Sequence, residues 1–361
     1  MTTTPSAPST ARPNGAARPA AAPAATPKPA SASASRLHLA KRGVIHEPYR
    51  YFFYGPEGVG KSSLAADAPD PIFLDADRAS ARLDVTRYPF RDEADGHLVQ
   101  SLAEIYAAID DLLVGSHSFK TLIIDTADAL EAVMWKHICE HAPIDRAGKR
   151  PKSIEDFGYG KGYIAAVDEW RNLLHRLDTL RVRRGMDIVF LGHSIVKPFK
   201  NPNGPDYDRY QPKLDHRAVG LLHAWCDVVG FACFEEGGAA ADKGERARGW
   251  STGRRLIRLE HNAAWDAKAR LGMPAEVSLL LESPWKPFAA AVAASRDLTS
   301  ADVAALIEIE LARLGDEFTK PDGDPSTSAA VRGAVAAAAD NVTTLSKYLT
   351  GLKQSQPKEQ I

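Results

Sequence analysis

The sequence lacks any unbroken apolar run approaching the ~18 residues of a membrane span, so no membrane association is expected. It has three cysteines, an odd number with no C-x-x-C pair. That argues against a disulfide framework and for a reducing compartment. It has almost no net charge, with 45 Lys+Arg against 46 Asp+Glu and a formal charge of -1. This excludes a wholesale basic nucleic-acid coat and leaves room for a local basic patch. Residues 1–35 contain no Leu, Ile, Val or aromatic residue and are mostly Ala, Pro, Ser and Thr. Such a segment buries too little to offset the entropy of ordering, and it reads as a disordered leader or linker. Its charges are Arg12, Arg18 and Lys28. They leave a weak electrostatic arm for nucleic acid as the alternative, and no apolar stretch follows them as a signal peptide requires.

What is present is an alternation of short apolar runs and helical patterns from about residue 36 to 295. Strands are expected at Tyr51–Tyr54, Ile72–Leu74, Thr121–Ile124, Ile188–Leu191, Val228–Phe234 and Leu256–Leu259. Helices are expected at 60–67, 98–114, 127–141, 160–184 and 300–314. Strands alternating with helices predict an α/β fold with a mainly parallel central sheet flanked by helices. The continuous apolar strands are those expected when both faces are buried. Residues 296–318 read as a C-terminal helix. Residues 319–361 read as a mostly flexible tail, with a weak Ala-rich helix at 328–352 and no packed core.

The strongest motif is Gly55-Pro56-Glu57-Gly58-Val59-Gly60-Lys61-Ser62-Ser63, which follows a strand and opens a helix. It matches the phosphate loop G-x-x-x-x-G-K-[ST] in its required context. Its glycines let the backbone curl around a phosphate chain, and its N–H groups hold the anion. Lys61 is expected on the β- and γ-phosphates and Ser62 on Mg²⁺. Thr121-Leu-Ile-Ile124-Asp125 reads as a buried strand with a carboxylate at its C-terminal edge, where ligands bind in open α/β sheets. Asp125 is thus the second Mg²⁺ residue. Guanine recognition would need Asn-Lys-x-Asp, which does not occur, so ATP is the expected nucleotide.

Thr126, not Glu, follows Asp125. The carboxylate that orients an attacking water must then come from elsewhere, and Asp75-Ala76-Asp77, at the end of the strand after the phosphate-loop helix, supplies a candidate in Asp77. At these residues the sequence resembles the RecA-like ATPases, whose equivalent strand ends in Asp-Ala-Glu with the Glu as catalytic base. Asp77 is one methylene shorter, so the water must sit closer. A closer resemblance is to phage-type ATP-binding and single-strand annealing proteins related to the RadA core. It is carried by Gly158-Tyr-Gly-Lys161-Gly-Tyr163, Ile188-Val-Phe-Leu-Gly-His193-Ser194, Gln211-Pro-Lys-Leu214, Trp225-Cys-Asp227, and Lys268-Ala-Arg270-Leu-Gly272, across about residues 48–290. The resemblance implies a RecA-like core that binds ATP and Mg²⁺. It also implies action on single-stranded DNA, assembly into a homo-oligomer and a single-strand-binding protein as partner. The implied location is the cytoplasm of a bacterium or a phage-infected host.

His193 ends a predicted buried strand and is either a γ-phosphate sensor or a histidine capping the strand. Loops 143–163 and 195–217 carry basic and aromatic residues suited to backbone phosphates and base stacking. In the first these include Arg146, Lys149, Arg150, Lys152, Phe157, Tyr159 and Tyr163; in the second, Lys197, Phe199, Lys200, Tyr207, Arg209, Tyr210 and Lys213. Ordinary surface packing is the competing reading of both. Lys268, Arg270 and the Arg254, Arg255, Arg258 cluster are candidates to contact DNA or, in an oligomer, to face a neighbouring subunit's nucleotide. His137, Cys139 and His141 do not share one helical face, so buried packing is preferred to a metal. Two functions remain: a RecA-core ATPase acting on single-stranded DNA in recombination or annealing, or a slowly hydrolysing ATP-dependent switch that recruits proteins.

Overall fold

A computed structural model of the chain describes Ala40 and residues 45–92, 96–144, 148–202, 204–239, 248–270, 272–296, 300–338 and 341–357. Met1–Ile45 is one unit and His46–Ile361 another. The tail expected over 1–35 lies outside the described residues, as do Arg146 and Leu271.

Within the second unit the chain begins with β1 (Arg50–Gly55), α1 (Lys61–Ala66), β2 (Pro71–Asp75), β3 (Thr86–Arg87) and α2 (Leu102–Val114). It continues through β4 (Thr121–Asp125), α3 (Ala127–His141), α4 (Lys161–Arg184), β5 (Asp187–Phe199), β6 (Tyr207–Pro212) and α5 (His216–Trp225). Then come β7 (Val228–Ala239), β8 (Arg248–Arg258), β9 (Glu276–Leu279) and α6 (Trp285–Arg296). The nine strands form one sheet in the order β3-β2-β4-β5-β1-β7-β8-β9, with β6 added to β5. Neighbours from β3 to β7 run parallel. The pairs β7–β8, β8–β9 and β5–β6 are antiparallel. The α/β class with a mainly parallel central sheet and flanking helices is thus as the sequence predicts.

Strand alternation splits the inner residues between two cores. Phe52 and Tyr54 of β1, Leu122 and Ile124 of β4, and Ile188 and Phe190 of β5 meet α2, α3, α4 and α5 on one face. Tyr51, Phe53, Ile123, Val189 and Leu191 meet α1 and α6 on the other. Both faces are covered, which is why these strands read as unbroken apolar runs. Each fully buried side chain contributes roughly 1.5–3 kcal/mol, so the sheet forms a stiff floor under the loops at its C-terminal edge.

Local signals set the helix bounds. Helix α2 starts at Leu102, not 98, because Ser101 and Glu104 form a reciprocal capping box that satisfies two otherwise orphan N–H groups. Helix α6 was not foreseen. Its Pro287 lies in the first turn, where a missing N–H costs nothing.

Two expectations fail. The segment 195–217 is not a loop: β5 continues past His193 to Phe199 and pairs back with β6 from Ser194↔Pro212 to Phe199↔Tyr207. The C-terminal part is not without a core. Helix α7 (Ser300–Leu314) is followed by β10 (Glu317–Thr319), β11 (Pro325–Thr327), α8 (Ser328–Ala338), α9 (Val342–Gln354) and β12 (Gln356–Pro357). Val303, Ile307, Leu311 and Leu314 pack with Phe318, Leu345, Leu349 and Leu352. Each helix carries its apolar residues at i, i+4 and i+7 or i+8, a narrow stripe that only a partner helix can bury. Alanine-rich flanks dilute that stripe in the sequence.

Candidate nucleotide site

Strand β1 delivers the chain to the phosphate loop at the C-terminal edge of the sheet. A Cβ on Gly55 would stand 2.0 Å from the Ala232 carbonyl oxygen of β7, so no larger residue fits there. Gly60 has φ 95° and opens α1 from the left-handed region, which glycine enters without steric cost. Val59 is buried and anchors the loop. Glu57, Gly58, Gly60, Lys61, Ser62 and Ser63 line a cavity of about 320 Å³ that is completed by Asp125, Thr126, His193, Arg255 and the 79–83 turn.

Lys61 is buried, and its Nζ donates to the carbonyls of Gly55 (3.0 Å) and Pro56 (2.9 Å). Burial lowers its pKa, and Asp125, Asp128, Glu57 and Asp77 pull the other way. The Ser62 hydroxyl donates to Asp125 Oδ2 at 2.7 Å. Asp125 is 1% exposed, and its Oδ1 is buried with no hydrogen-bond partner among the described residues. Burial pushes its carboxyl up to about 7, Asp77 and Asp75 add to this, and Ser62 and Lys61 oppose it. An orphaned carboxylate oxygen beside a hydroxyl fits a hard cation such as Mg²⁺, which is the role the sequence predicts for Ser62 and Asp125.

Asp75 and Asp77 have separate tasks. Asp75 is buried and accepts from the Arg78 N–H (2.7 Å), the Asp77 N–H (3.2 Å) and the Ser80 hydroxyl. It thereby builds the turn that presents Asp77. The exposed Asp77 accepts from the Thr126 hydroxyl at 3.1 Å and from the Ala79 N–H at 2.9 Å. Thr126 thus occupies the position after Asp125 and orients a carboxylate delivered from β2. Sequence reading missed this link; the signal was the hydroxyl residue standing where an acid was sought.

The β1–β5 register sets His193 beside Gly55. His193 Nδ1 lies 2.9 Å from Asp128 Oδ2, and its backbone N–H donates to Asp128 Oδ1 at 3.1 Å. The hydrogen bond to Asp128 raises the imidazole pKa against the opposing effect of burial. Burial would raise Asp128, yet the bonds from His193 hold it below its ordinary value. Asp128 was not singled out in the sequence, although it sits three residues beyond Asp125 in the first turn of α3.

Of the remaining predicted residues Arg255 lines this cavity, whereas Lys268, Arg270, Lys197, Phe199 and Tyr210 do not, and Asp77 stands beside it through Thr126. Lys268 Nζ donates to the His223 carbonyl at 2.8 Å, at the C-terminal end of α5, and its backbone pairs with Val229. Arg270 pairs with Asp227 at 2.5 Å and lies over the Tyr49 ring. Both therefore have structural partners in their own chain. On the hairpin, Lys197 is exposed. Phe199 lies under the Arg209 guanidinium (5.1 Å) and Tyr210 packs on Phe231 (5.0 Å). Tyr159 is fully exposed between Gly158 and Gly160. Among the described residues no group of three metal-ligating side chains occurs, and no helix is long and apolar enough to cross a membrane.

The AAA domain family AAA_24 matches residues 47–271, which span every residue of this cavity. No curated protein matches. Among solved structures, the crystal structure of the RadB recombinase is similar at 11% identity, covering 66% of this chain and 90% of that chain with a TM-score of 0.34. With its family match covering well over half the sequence, the chain belongs to AAA_24, and residues 47–271 form an AAA-type ATPase domain.

Proposed function

We propose that the chain is a Mg²⁺-dependent, RecA-like ATPase of phage type that acts on single-stranded DNA in recombination or annealing. The observation that carries this reading is the continuity of β5. The strand runs without a break from His193, which lines the phosphate-loop cavity, into the exposed hairpin with β6. A change at the nucleotide's terminal phosphate can thus reach a surface outside the site.

Lys61 neutralises phosphate charge, and the loop N–H groups position the chain for in-line attack. Asp77, held by Thr126, takes up the attacking water's proton or orients that water. Nδ1 of His193 is committed to Asp128, which leaves Nε2 to hydrogen-bond the γ-phosphate or the water. Mg²⁺ held by Ser62 and Asp125 would neutralise charge shared between the β- and γ-phosphates. The hairpin, through Lys197 and the exposed edge at Ile195 and Val196, would meet the DNA backbone. Assembly into a homo-oligomer, a single-strand-binding protein as partner and a cytoplasmic setting in a bacterium or phage-infected host belong to the same reading.

A second reading is favoured by the rings on the hairpin. Phe199 and Tyr210 are already occupied by Arg209 and Phe231, which leaves fewer free faces for base stacking. An ATP-dependent switch with slow hydrolysis and protein partners would need no such faces. ATP hydrolysis with Mg²⁺, with and without single-stranded DNA, decides between them when Lys61→Ala and Asp77→Asn are run in parallel. DNA stimulation lost in both variants supports the first reading. ATP binding without stimulation, and without salt-sensitive DNA retention, rejects it in favour of the switch.

A further inference from the structure

Arg255 enters the phosphate-loop cavity from β8, in the same chain. Its Nη1 lies 3.0 Å, and its Cζ 3.5 Å, from where a Cβ on Gly60 would stand. The guanidinium therefore covers the bare backbone of the loop, and the glycine leaves the room for it. Its two arginine neighbours on the strand behave differently. Arg254 Nε donates to Glu235 at 2.8 Å, and Arg258 pairs with Glu276 while lying over the Trp265 ring. Arg255, half-buried between them, has neither hydrogen bond nor ion pair among the described residues. A half-buried guanidinium without an anion is costly. In the same cavity Asp125, only 1% exposed, keeps an oxygen without a partner. A guanidinium with no anion and a carboxylate oxygen with no partner, both facing one cavity, describe a site shaped for a ligand that carries both anionic oxygens and a cation.

The sheet order tells which part of that ligand each charge meets. Asp125 and His193 reach the cavity from β4 and β5, on one side of β1; Arg255 reaches it across β7, on the other. Ser62 and Asp125 mark the end where the cation and the terminal phosphate belong. Resting on the ATP-binding reading above, we propose that Arg255 clamps the phosphates common to ATP and ADP, and that it does so in its own chain and not in a neighbouring subunit's site. An arginine fork suits two phosphate oxygens at once. Because these phosphates are present before and after hydrolysis, the clamp contributes uniform binding and not selective stabilisation of the transition state.

The test is the Kd of Mg-ATP and of Mg-ADP, by calorimetry, for the full chain and for Arg255→Ala, Arg255→Lys and Arg254→Ala. Arg255→Ala is expected to weaken both nucleotides equally, by about 10- to 100-fold for loss of a charge-assisted contact. Arg255→Lys should fall between, and Arg254→Ala should bind as the unaltered protein does. At a subsaturating ATP concentration, mixing Arg255→Ala with Lys61→Ala protein should give no more hydrolysis than the Arg255→Ala protein gives alone, since no site in the mixture then holds both residues. Undiminished affinity in both Arg255 variants would overturn the clamp, as would a loss confined to ATP. Recovery on mixing would place Arg255 in a neighbour's site. Failure of the unaltered chain to bind either nucleotide would overturn the ATP reading itself, an outcome distinct from these.

Discussion

His193 and Asp128 are joined twice: imidazole to carboxylate at 2.9 Å, and backbone N–H to the other carboxylate oxygen at 3.1 Å. The pair fastens the end of the sheet at β5 to the first turn of α3, which begins just after Asp125. Anything that moves His193 must therefore pull on the helix that begins beside Asp125, or break two hydrogen bonds at once.

Replacing Asp128 with Asn tests that fastening. The folded pKa of His193 is raised, so its share of stability is full below the ordinary histidine value and fades as pH rises through the folded value. The folded pKa of Asp128 is lowered, so its share is full above the ordinary carboxylate value and fades as pH falls. The pair is thus strongest between about pH 4 and 6.5. Asp128→Asn should cost about 1.5–3 kcal/mol near pH 6 and clearly less near pH 9. Urea denaturation at the two pH values measures this, and NMR titration should show the His193 pKa falling in the variant. An equal cost at both pH values would show that the ion pair is not what the carboxylate contributes.

Asp125 should behave in the opposite sense. Its folded pKa of about 7 lies above the ordinary value, so the unfolded chain loses this proton first. Stability then falls as pH rises from about 4 to 7 and stays lower above that. Asp125→Asn should therefore raise the stability of the nucleotide-free protein at pH 8, by on the order of 1–3 kcal/mol, while abolishing its response to Mg²⁺. In the unaltered protein Mg²⁺ must displace a proton below pH 7. Calorimetry in buffers of differing ionisation enthalpy should detect up to one proton released at pH 6 and almost none at pH 8.5. No proton release at either pH would place the cation elsewhere.

Thr126 and Asp77 form the next separable pair. Asp77→Asn should lower kcat by about 10²–10⁴, the usual worth of a positioned acid–base group, and leave the Kd of Mg-ADP unchanged. Thr126→Ala removes the 3.1 Å hydrogen bond but not the carboxylate. It should lower kcat by a smaller factor, roughly tenfold for a misoriented group, while Thr126→Ser restores it. Rates that are unchanged in Asp77→Asn would move the catalytic carboxylate to another residue.

The parts of this site that were legible in the sequence are contiguous ones. The phosphate loop announces itself because one short segment must supply the glycines, the lysine and the hydroxyl together. Asp125 was readable because burial on both faces leaves an unbroken apolar run that a carboxylate can end. Asp128, Thr126 and Arg255 carry no such local mark. Their meaning comes from who stands opposite: His193 through the β1–β5 register, Asp77 through the turn built on Asp75, and Gly60 through the reach of β8. The hairpin was hidden for the same reason. Ile195-Val-Lys-Pro-Phe199 contains a proline and exposed residues, and only the pairing with Tyr207–Pro212 makes it a strand.

The C-terminal core offers a test of whether two weak stripes suffice to fold a unit. Ile307 of α7 is fully buried and belongs to the cluster that Leu345, Leu349 and Leu352 of α9 complete. Truncating it leaves a cavity between the helices, at a typical cost of about 2–5 kcal/mol. That is a large share of what so small a core can supply. Ile307→Ala should therefore speed amide hydrogen exchange throughout residues 300–357. The amides of β1, β4 and β5 should keep their protection, because their burial comes from α1 to α6 and not from this cluster. The position Ile309, 64% exposed on the same helix, supplies the control: Ile309→Ala should leave both regions unchanged. Equal acceleration in β4 would show that the C-terminal helices and the sheet unfold as one cooperative body, and that the stripe on α7 supports the nucleotide site as well as its own neighbours.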